Sequence, residues 1–229
     1  MTQRLVLHHF PLDPASRMAR LVLGEKRVVF EETIVRYWEP ESGLDRLNPS
    51  GQPPVLTVEE PGRAKLVLSE TAAVVGWVMD SFAAPALMSD DPHERAECRR
   101  LHQWFERKFD YEVNALLLHE KMEKRLLGLG PPDMAAMRRG REALREHFRM
   151  MEEILKARDW LAGRRLSLAD FAAASHISVL DYFDEAPWGQ FAAVKTWYMK
   201  LKSRPCFRPL LADRQPGMGP SAHYHDLDF

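Results

Sequence analysis

The chain has 229 residues, 45% hydrophobic and 28% charged, the profile of a globular protein with a full core. Its 32 Lys and Arg against 33 Asp and Glu leave a formal charge of −1. That balance argues against the broad basic face that nucleic acids and anionic membranes select, and leaves room only for a local patch. Two cysteines, Cys98 and Cys206, lie far apart without a partner motif, which excludes a disulfide framework and a four-thiolate zinc site and fits a reducing cytosol.

RLVLHHF (4–10) is a short β-rich run. Asp13-Pro14 then reads as a helix start, Asp as N-cap and Pro at the first helical position, with the helix running through ASRMARLVLGEK. RVVFEETIV (27–35) predicts a second strand, followed by the exposed polar-aromatic loop RYWEPESG. After LNPSGQP, the runs PVLTVE and AKLVLS predict a hairpin, and SETAAVVGWVMDSF an apolar helix. The longest apolar stretch, AAVVGWVM, is far shorter than the ~20 residues that cross a membrane. The N-terminus lacks the apolar core of a signal peptide.

From about residue 90 the pattern is all helix. Leu101, Phe105, Phe109, Val113 and Leu117 recur every four residues and mark one face of a long helix that GLGPPD (128–133) ends. Met137, Leu144, Phe148, Met151 and Leu155 mark the next. Ser167 to Asp170 reads as a capping box opening a nearly all-apolar helix, FAAASHISVL, expected at the centre of this part. Phe191, Val194, Trp197, Tyr198 and Leu201 stripe a last helix ending at SRPCF. The expected division is an α/β domain over 1–83, an all-helical domain over 90–210 and a Pro/Gly-rich, then acidic-aromatic tail over 211–229 that does not pack.

Four stretches carry a resemblance to the cytosolic glutathione transferase superfamily: PLDPASRMARLVLGEK, LNPSGQPPVL, LSETAAVVGWV, and WLAGRRLSLADFAAAS followed by WYMKLKSRPCF. The resemblance implies a thioredoxin-like N-terminal domain, a helical C-terminal domain, a homodimer, and a cis peptide at Pro54. It also implies a glutathione site in three parts. Glu70-Thr71 matches the acidic-hydroxyl pair that receives the γ-glutamyl carboxylate at a helix N-terminus, although the same residues serve equally as a plain helix cap. Pro53 stands where the residue before the cis-proline offers its N–H to the cysteinyl backbone, and it has none. Asp13 stands at the thiol activator's position, where a carboxylate raises a nearby thiol's pKa instead of lowering it. Ser16 is a substitute donor one turn further in, and His8 and His9 read as alternating strand residues.

The expectation is therefore no catalytic residue, a vestigial site of Asp13, Pro53, Pro54, Glu70 and Thr71, and glutathione binding that is weak or absent. The rival expectation is a divergent glutathione transferase or glutathione-dependent lyase. No nucleophile elbow, HExxH, P-loop or dinucleotide fingerprint is present. His223, His225 and Asp226 form an HxHD without further ligands, read as polar tail and not as a metal site; His176 reads as a core histidine.

Two features remain for a partner. One is Arg36, Tyr37 and Trp38, residue types enriched at interface hot spots, with Trp38 alternatively folding over its own domain or a dimer seam. The other is the tail's Tyr224, Asp226, Asp228 and Phe229. Together with the lost activator they resemble the transferase-like bacterial division proteins that associate with the tubulin-like polymer FtsZ. That resemblance implies a cytoplasmic, non-enzymatic dimer at the division site that binds FtsZ filaments and helps link them to septal wall synthesis. A second division or wall-synthesis factor is an implied partner, and neither nucleic acid binding nor membrane insertion is expected.

Overall fold

A computed structural model describes residues 3–228. The chain divides into two compact units, Met1–Pro85 and Ala86–Phe229. The first is α/β and the second helical, the two-part order expected from the sequence.

In the first unit, β1 (Arg4–His9) alternates buried and part-exposed residues, as period 2 requires. Asp13 caps α1 (Pro14–Glu25) by accepting the Ser16 N–H at 2.7 Å, with Pro14 at the first helical position. β2 is only Glu31–Ile34, shorter than the run RVVFEETIV suggests, and all four residues are exposed. An edge strand with one neighbour buries too little to hold Val29, which is 90% exposed. β3 (Val55–Glu59) and β4 (Leu66–Ser69) form the expected hairpin, and α2 (Thr71–Ser81) follows. The sheet order is β2-β1-β3-β4, with β1 parallel to β2 and antiparallel to β3. This is the thioredoxin-like arrangement.

The second unit opens with one continuous helical run over 92–127. It begins as α3 (Pro92–Gln103), widens into a π-helix over Trp104–Asn114, and passes through α4 (Ala115–Leu118) and a second π segment before α5 (Lys124–Leu127). Leu101, Phe105, Phe109, Val113 and Leu117 are all fully buried along it. A strict four-residue repeat drifts by about 40° per step on an α-helix of 3.6 residues per turn. Wider turns absorb that drift and keep the five side chains on one face.

α6 (Met134–Ala157) packs closely on this run, because Gly140 has no side chain: a Cβ there would lie 2.8 Å from the Leu117 Cγ. α7 (Leu168–Tyr182) is buried along its whole length. The expected capping box is present at its start, and Asp170 also accepts the Leu161 N–H at 2.8 Å and the Trp197 indole N–H at 2.9 Å. α8 (Ala192–Lys202) and the short α9 (Arg208–Ala212) complete the unit.

The segment after α9 corrects the expectation of an unpacked tail. Ser221 donates through its backbone to Tyr182 and through its hydroxyl to Asp181, at 2.8 Å each. The His223 imidazole lies 2.9 Å from the buried Asp181 carboxylate. Tyr224 is fully buried, its hydroxyl donating to the Leu210 carbonyl at 3.0 Å. The composition of this stretch is that of a loop, but Met218 and Tyr224 are buried.

Candidate functional site

The strand register gathers the predicted site residues of the first unit at one end of the sheet. His8 pairs with Val55 and Val55 with Ser69, so the row beyond them holds the end of β1, Pro54, and Glu70. Asp13 lies on the loop leaving β1, Pro53 and Pro54 enter β3, and Glu70-Thr71 leave β4. Because β2 runs parallel to β1, the loop carrying Arg36, Tyr37 and Trp38 leaves from the same end, and the Val35 N–H donates to the His9 carbonyl at 2.8 Å.

Each part has a local cause. The Pro53–Pro54 peptide is cis and both prolines are buried. The turn before them is built around Asn48, which is buried. Its side-chain amide donates to the Gln52 carbonyl at 2.8 Å, while its side-chain oxygen accepts the Ser50 N–H at 3.2 Å. Glu70 is exposed and held at φ 71°, ψ 139°, and the buried Thr71 opens α2. A non-glycine residue in that region costs roughly 1–3 kcal/mol and persists only where its surroundings over-determine it. The Glu70 carboxylate makes no capping hydrogen bond to α2.

Asp13 spends its carboxylate on the Ser16 N–H. The Ser16 hydroxyl in turn is fully buried and accepts the Phe10 N–H at 3.2 Å, so it faces the backbone and not the open end of the sheet. With no accessible surface, Ser16 presents no donor to solvent, although its hydroxyl proton is not used by this bond. His9 is buried with Glu32 at 3.8 Å, and partial burial lowers the pKa of His8, helped by the charge of Lys65.

Arg17 is a residue that sequence reasoning missed. Its guanidinium is fully buried and donates to the Pro11 carbonyl at 2.7 Å, holding the loop that carries Asp13. Arg20, also buried, pairs with Glu32 at 2.8 Å. Nothing in SRMAR distinguishes these arginines from the solvent face of a helix.

Trp38 and Tyr37 are half-buried and pack edge-on against the buried Phe10, with ring centroids at 5.1 and 5.8 Å. Trp38 therefore folds partly over its own unit while one side stays open. Arg36 is exposed and paired with Glu39 at 3.2 Å. The loop and the three-part site thus meet through Phe10.

The remaining predicted partner residues lie in the second unit. Tyr224 is an anchor with no accessible surface, a correction to its expected place in an interface. Asp226 and Asp228 are exposed directly after it; Phe229 lies outside the described residues. His225 lies 2.7 Å from an Arg214 nitrogen and His223 faces Asp181, so these histidines point to separate partners. The His176 Nδ1 lies 2.6 Å from the Asn114 amide nitrogen, as a core histidine requires, while its Nε2 is buried without a hydrogen bond. Burial pushes the Cys98 thiol up, which makes it a poor nucleophile.

The model of the glutathione S-transferase N-terminal domain matches residues 14–81, and that of the C-terminal domain matches 119–205. The chain is 63% identical over 229 residues to FtsZ-localized protein A of Caulobacter vibrioides, covering all of both chains. The solved structure of FzlA from C. crescentus superposes with a TM-score of 0.96 at 63% identity, covering 99% of this chain and 100% of that one. A glutathione S-transferase from Rhodospirillum rubrum superposes at 0.93 with 39% identity, covering 98% and 100%. With both domain models matched and relatives of this identity along its full length, the chain belongs to the glutathione S-transferase family.

Proposed function

We propose that this protein is a cytoplasmic cell-division protein that binds FtsZ polymer at the division site as a homodimer, without enzymatic chemistry. In this reading it helps link the filaments to septal cell-wall synthesis through a second division or cell-wall synthesis factor. The observation that carries the proposal is the 63% identity to FtsZ-localized protein A across all of both chains. The geometry supports the non-enzymatic part. At the activator position Asp13 already accepts a helix N–H, and Pro53 offers no donor where a peptide backbone would pair.

An unmet carbonyl costs about 1–3 kcal/mol, which is about fivefold to a hundredfold in glutathione affinity. No cofactor is therefore assigned. Arg36, Tyr37 and Trp38 supply one filament contact, and Asp226, Asp228 and Phe229 a second interaction. Two modest contacts on one dimer gain from effective concentration and bridge filaments.

Co-sedimentation with polymerised FtsZ, with and without glutathione, tests this. The protein pellets with polymer in both, and Trp38→Ala lowers the bound fraction. A folded Trp38→Ala protein that pellets fully would remove Trp38 from the filament surface.

The second reading, a divergent glutathione transferase or glutathione-dependent lyase, is favoured by the retained Glu70-Thr71 corner with its φ of 71° and by the Rhodospirillum rubrum relative. Calorimetry with millimolar glutathione separates the two. Clear binding together with a depressed thiol pKa would count for the enzyme.

A further inference from the structure

The helical run and α6 are joined by a closed ring of four side chains whose hydrogen bonds fix a protonation state. The Trp104 indole, half-buried at the start of the π-helical segment, donates its N–H to His147 Nδ1 at 3.0 Å. His147, only 3% exposed on α6, sets its Nε2 at 3.0 Å from one Glu112 carboxylate oxygen. The other Glu112 oxygen pairs with Lys108, whose ammonium lies 5.6 Å from the centre of the Trp104 ring.

An indole N–H can only donate, so Nδ1 must accept. His147 is therefore neutral, with its one proton on Nε2 and directed at Glu112. A second proton would enter at Nδ1 and set two donors against each other at 3.0 Å. The bond to Glu112 would at the same time become charge-assisted and stronger. The carboxylate thus keeps the imidazolium, and the indole is the partner that must leave.

Burial pushes the His147 pKa down; the Glu112 carboxylate opposes this through its hydrogen bond and its charge, and the Lys108 charge adds to the lowering. Glu112 is itself held below the ordinary carboxylate range, chiefly by Lys108, so it stays ionised while His147 titrates. From α7, His176 reaches Phe109, which both imidazoles touch with ring centroids at 5.0 and 5.7 Å. Glu106 and Asp110 face His176 at 3.5 and 3.8 Å, and His102 lies 4.0 Å from Glu106. α4 carries no ionisable side chain, and Lys200 and Lys202 of α8 face Asp159 and Asp181. On α6 itself Glu146 pairs with Arg149, and Arg145 lines a cleft with Asp184 and Glu185.

We propose that the Trp104–His147 contact is an acid-opened latch: neutral His147 holds the indole on α6, and protonated His147 releases it toward solvent. The latch lies within the second unit and is independent of the FtsZ reading. The unfolded chain protonates this histidine first, at about 6.5, so its contribution to stability is complete above that pH. It is lost as pH falls toward the lower folded value.

Nitrogen–proton correlation spectra of the labelled full chain, from about pH 8 to about pH 5, test the proposal. The sequence has six tryptophans, and the indole signal missing in Trp104→Phe belongs to Trp104. That signal moves upfield with a midpoint below about 6.5, before the others change. Glu112→Gln keeps an acceptor for the Nε2 proton but loses the charge that favours the imidazolium, so the midpoint falls by about one pH unit. In His147→Asn, whose amide oxygen stands in for Nδ1 without titrating, the movement disappears. A Trp104 signal that stays in place, or that changes only when all the indole signals collapse together, overturns the proposal. So does a midpoint unchanged in Glu112→Gln, or a titration that persists in His147→Asn. Should His147→Asn fail to fold, the Glu112→Gln midpoint decides by itself.

Discussion

Replacing Tyr224 by alanine removes a fully buried ring that packs edge-on against Tyr182 at 5.1 Å, and with it the hydrogen bond to the Leu210 carbonyl at 3.0 Å. Truncating a buried large aromatic costs about 3–5 kcal/mol. That cost falls on a segment with no helix or strand of its own. Besides Tyr224 its main ties are Ser221, His223 and the Met218 carbonyl, which accepts the Tyr182 hydroxyl at 2.5 Å. The loss is therefore expected as local opening and not as global unfolding.

Residues 215–229 contain no Lys or Arg, so trypsin cutting after Arg214 in the opened segment releases them as one peptide. In the regime where cleavage follows the open population, release quickens by about two to four orders of magnitude in Tyr224→Ala. In Tyr224→Phe, which loses only a hydrogen bond of about 1 kcal/mol, it quickens about fivefold. Mass spectrometry of the peptide gives the rates, and a thermal melt gives global stability. The reasoning is refuted if Tyr224→Ala is cut at the wild-type rate, or if its melt drops by the full amount without faster release.

Three further outcomes are expected. Pro53→Ala restores a backbone donor at the entrance to β3, and calorimetry should show glutathione affinity rising about tenfold; an unchanged titration would place the defect elsewhere, with Asp13 first. Gly140→Ala gains about 1 kcal/mol of helix propensity, yet its Cβ would meet Leu117 Cγ at 2.8 Å and Leu116 Cβ at 3.1 Å. Overpacking of about 1–3 kcal/mol should win and lower the melting temperature, so a rise would show that the helices separate freely. Burial pushes the Glu185 carboxyl up, but hydrogen bonds from Arg141 and Lys121 outweigh it and hold its pKa below the ordinary range. Its stabilisation is thus complete above the unfolded value of about 4.3 and is lost as pH falls through the lower folded value. Glu185→Gln should lower stability at pH 7 and flatten the acid limb of a denaturation series; an equally steep limb would place that titration on other carboxylates.

Much of the fold was legible because its signals are local. Asp13-Pro14 and Ser167 to Asp170 announce their helices through hydrogen bonds made within a single turn. The five-residue stripe from Leu101 to Leu117 marked a buried face, although its four-residue spacing only became π-helical once the core required those side chains in line. RVVFEETIV overstated its strand, since propensity does not report that the edge of the sheet leaves Val29 uncovered.

By itself the sequence determined the two-part architecture, the family, and the absence of a donor at Pro53, since a proline has no N–H in any conformation. Only the tertiary structure decided that four segments distant in the chain meet at one end of the sheet, because strand register is set by pairing partners. It alone turned Ser16 inward to the Phe10 N–H and put Trp38 half over Phe10. It also separated Tyr224 from the acidic residues that follow it. The three lie within five residues of each other, but the tyrosine ring packs against Tyr182 and is buried, while Asp226 and Asp228 stay in solvent.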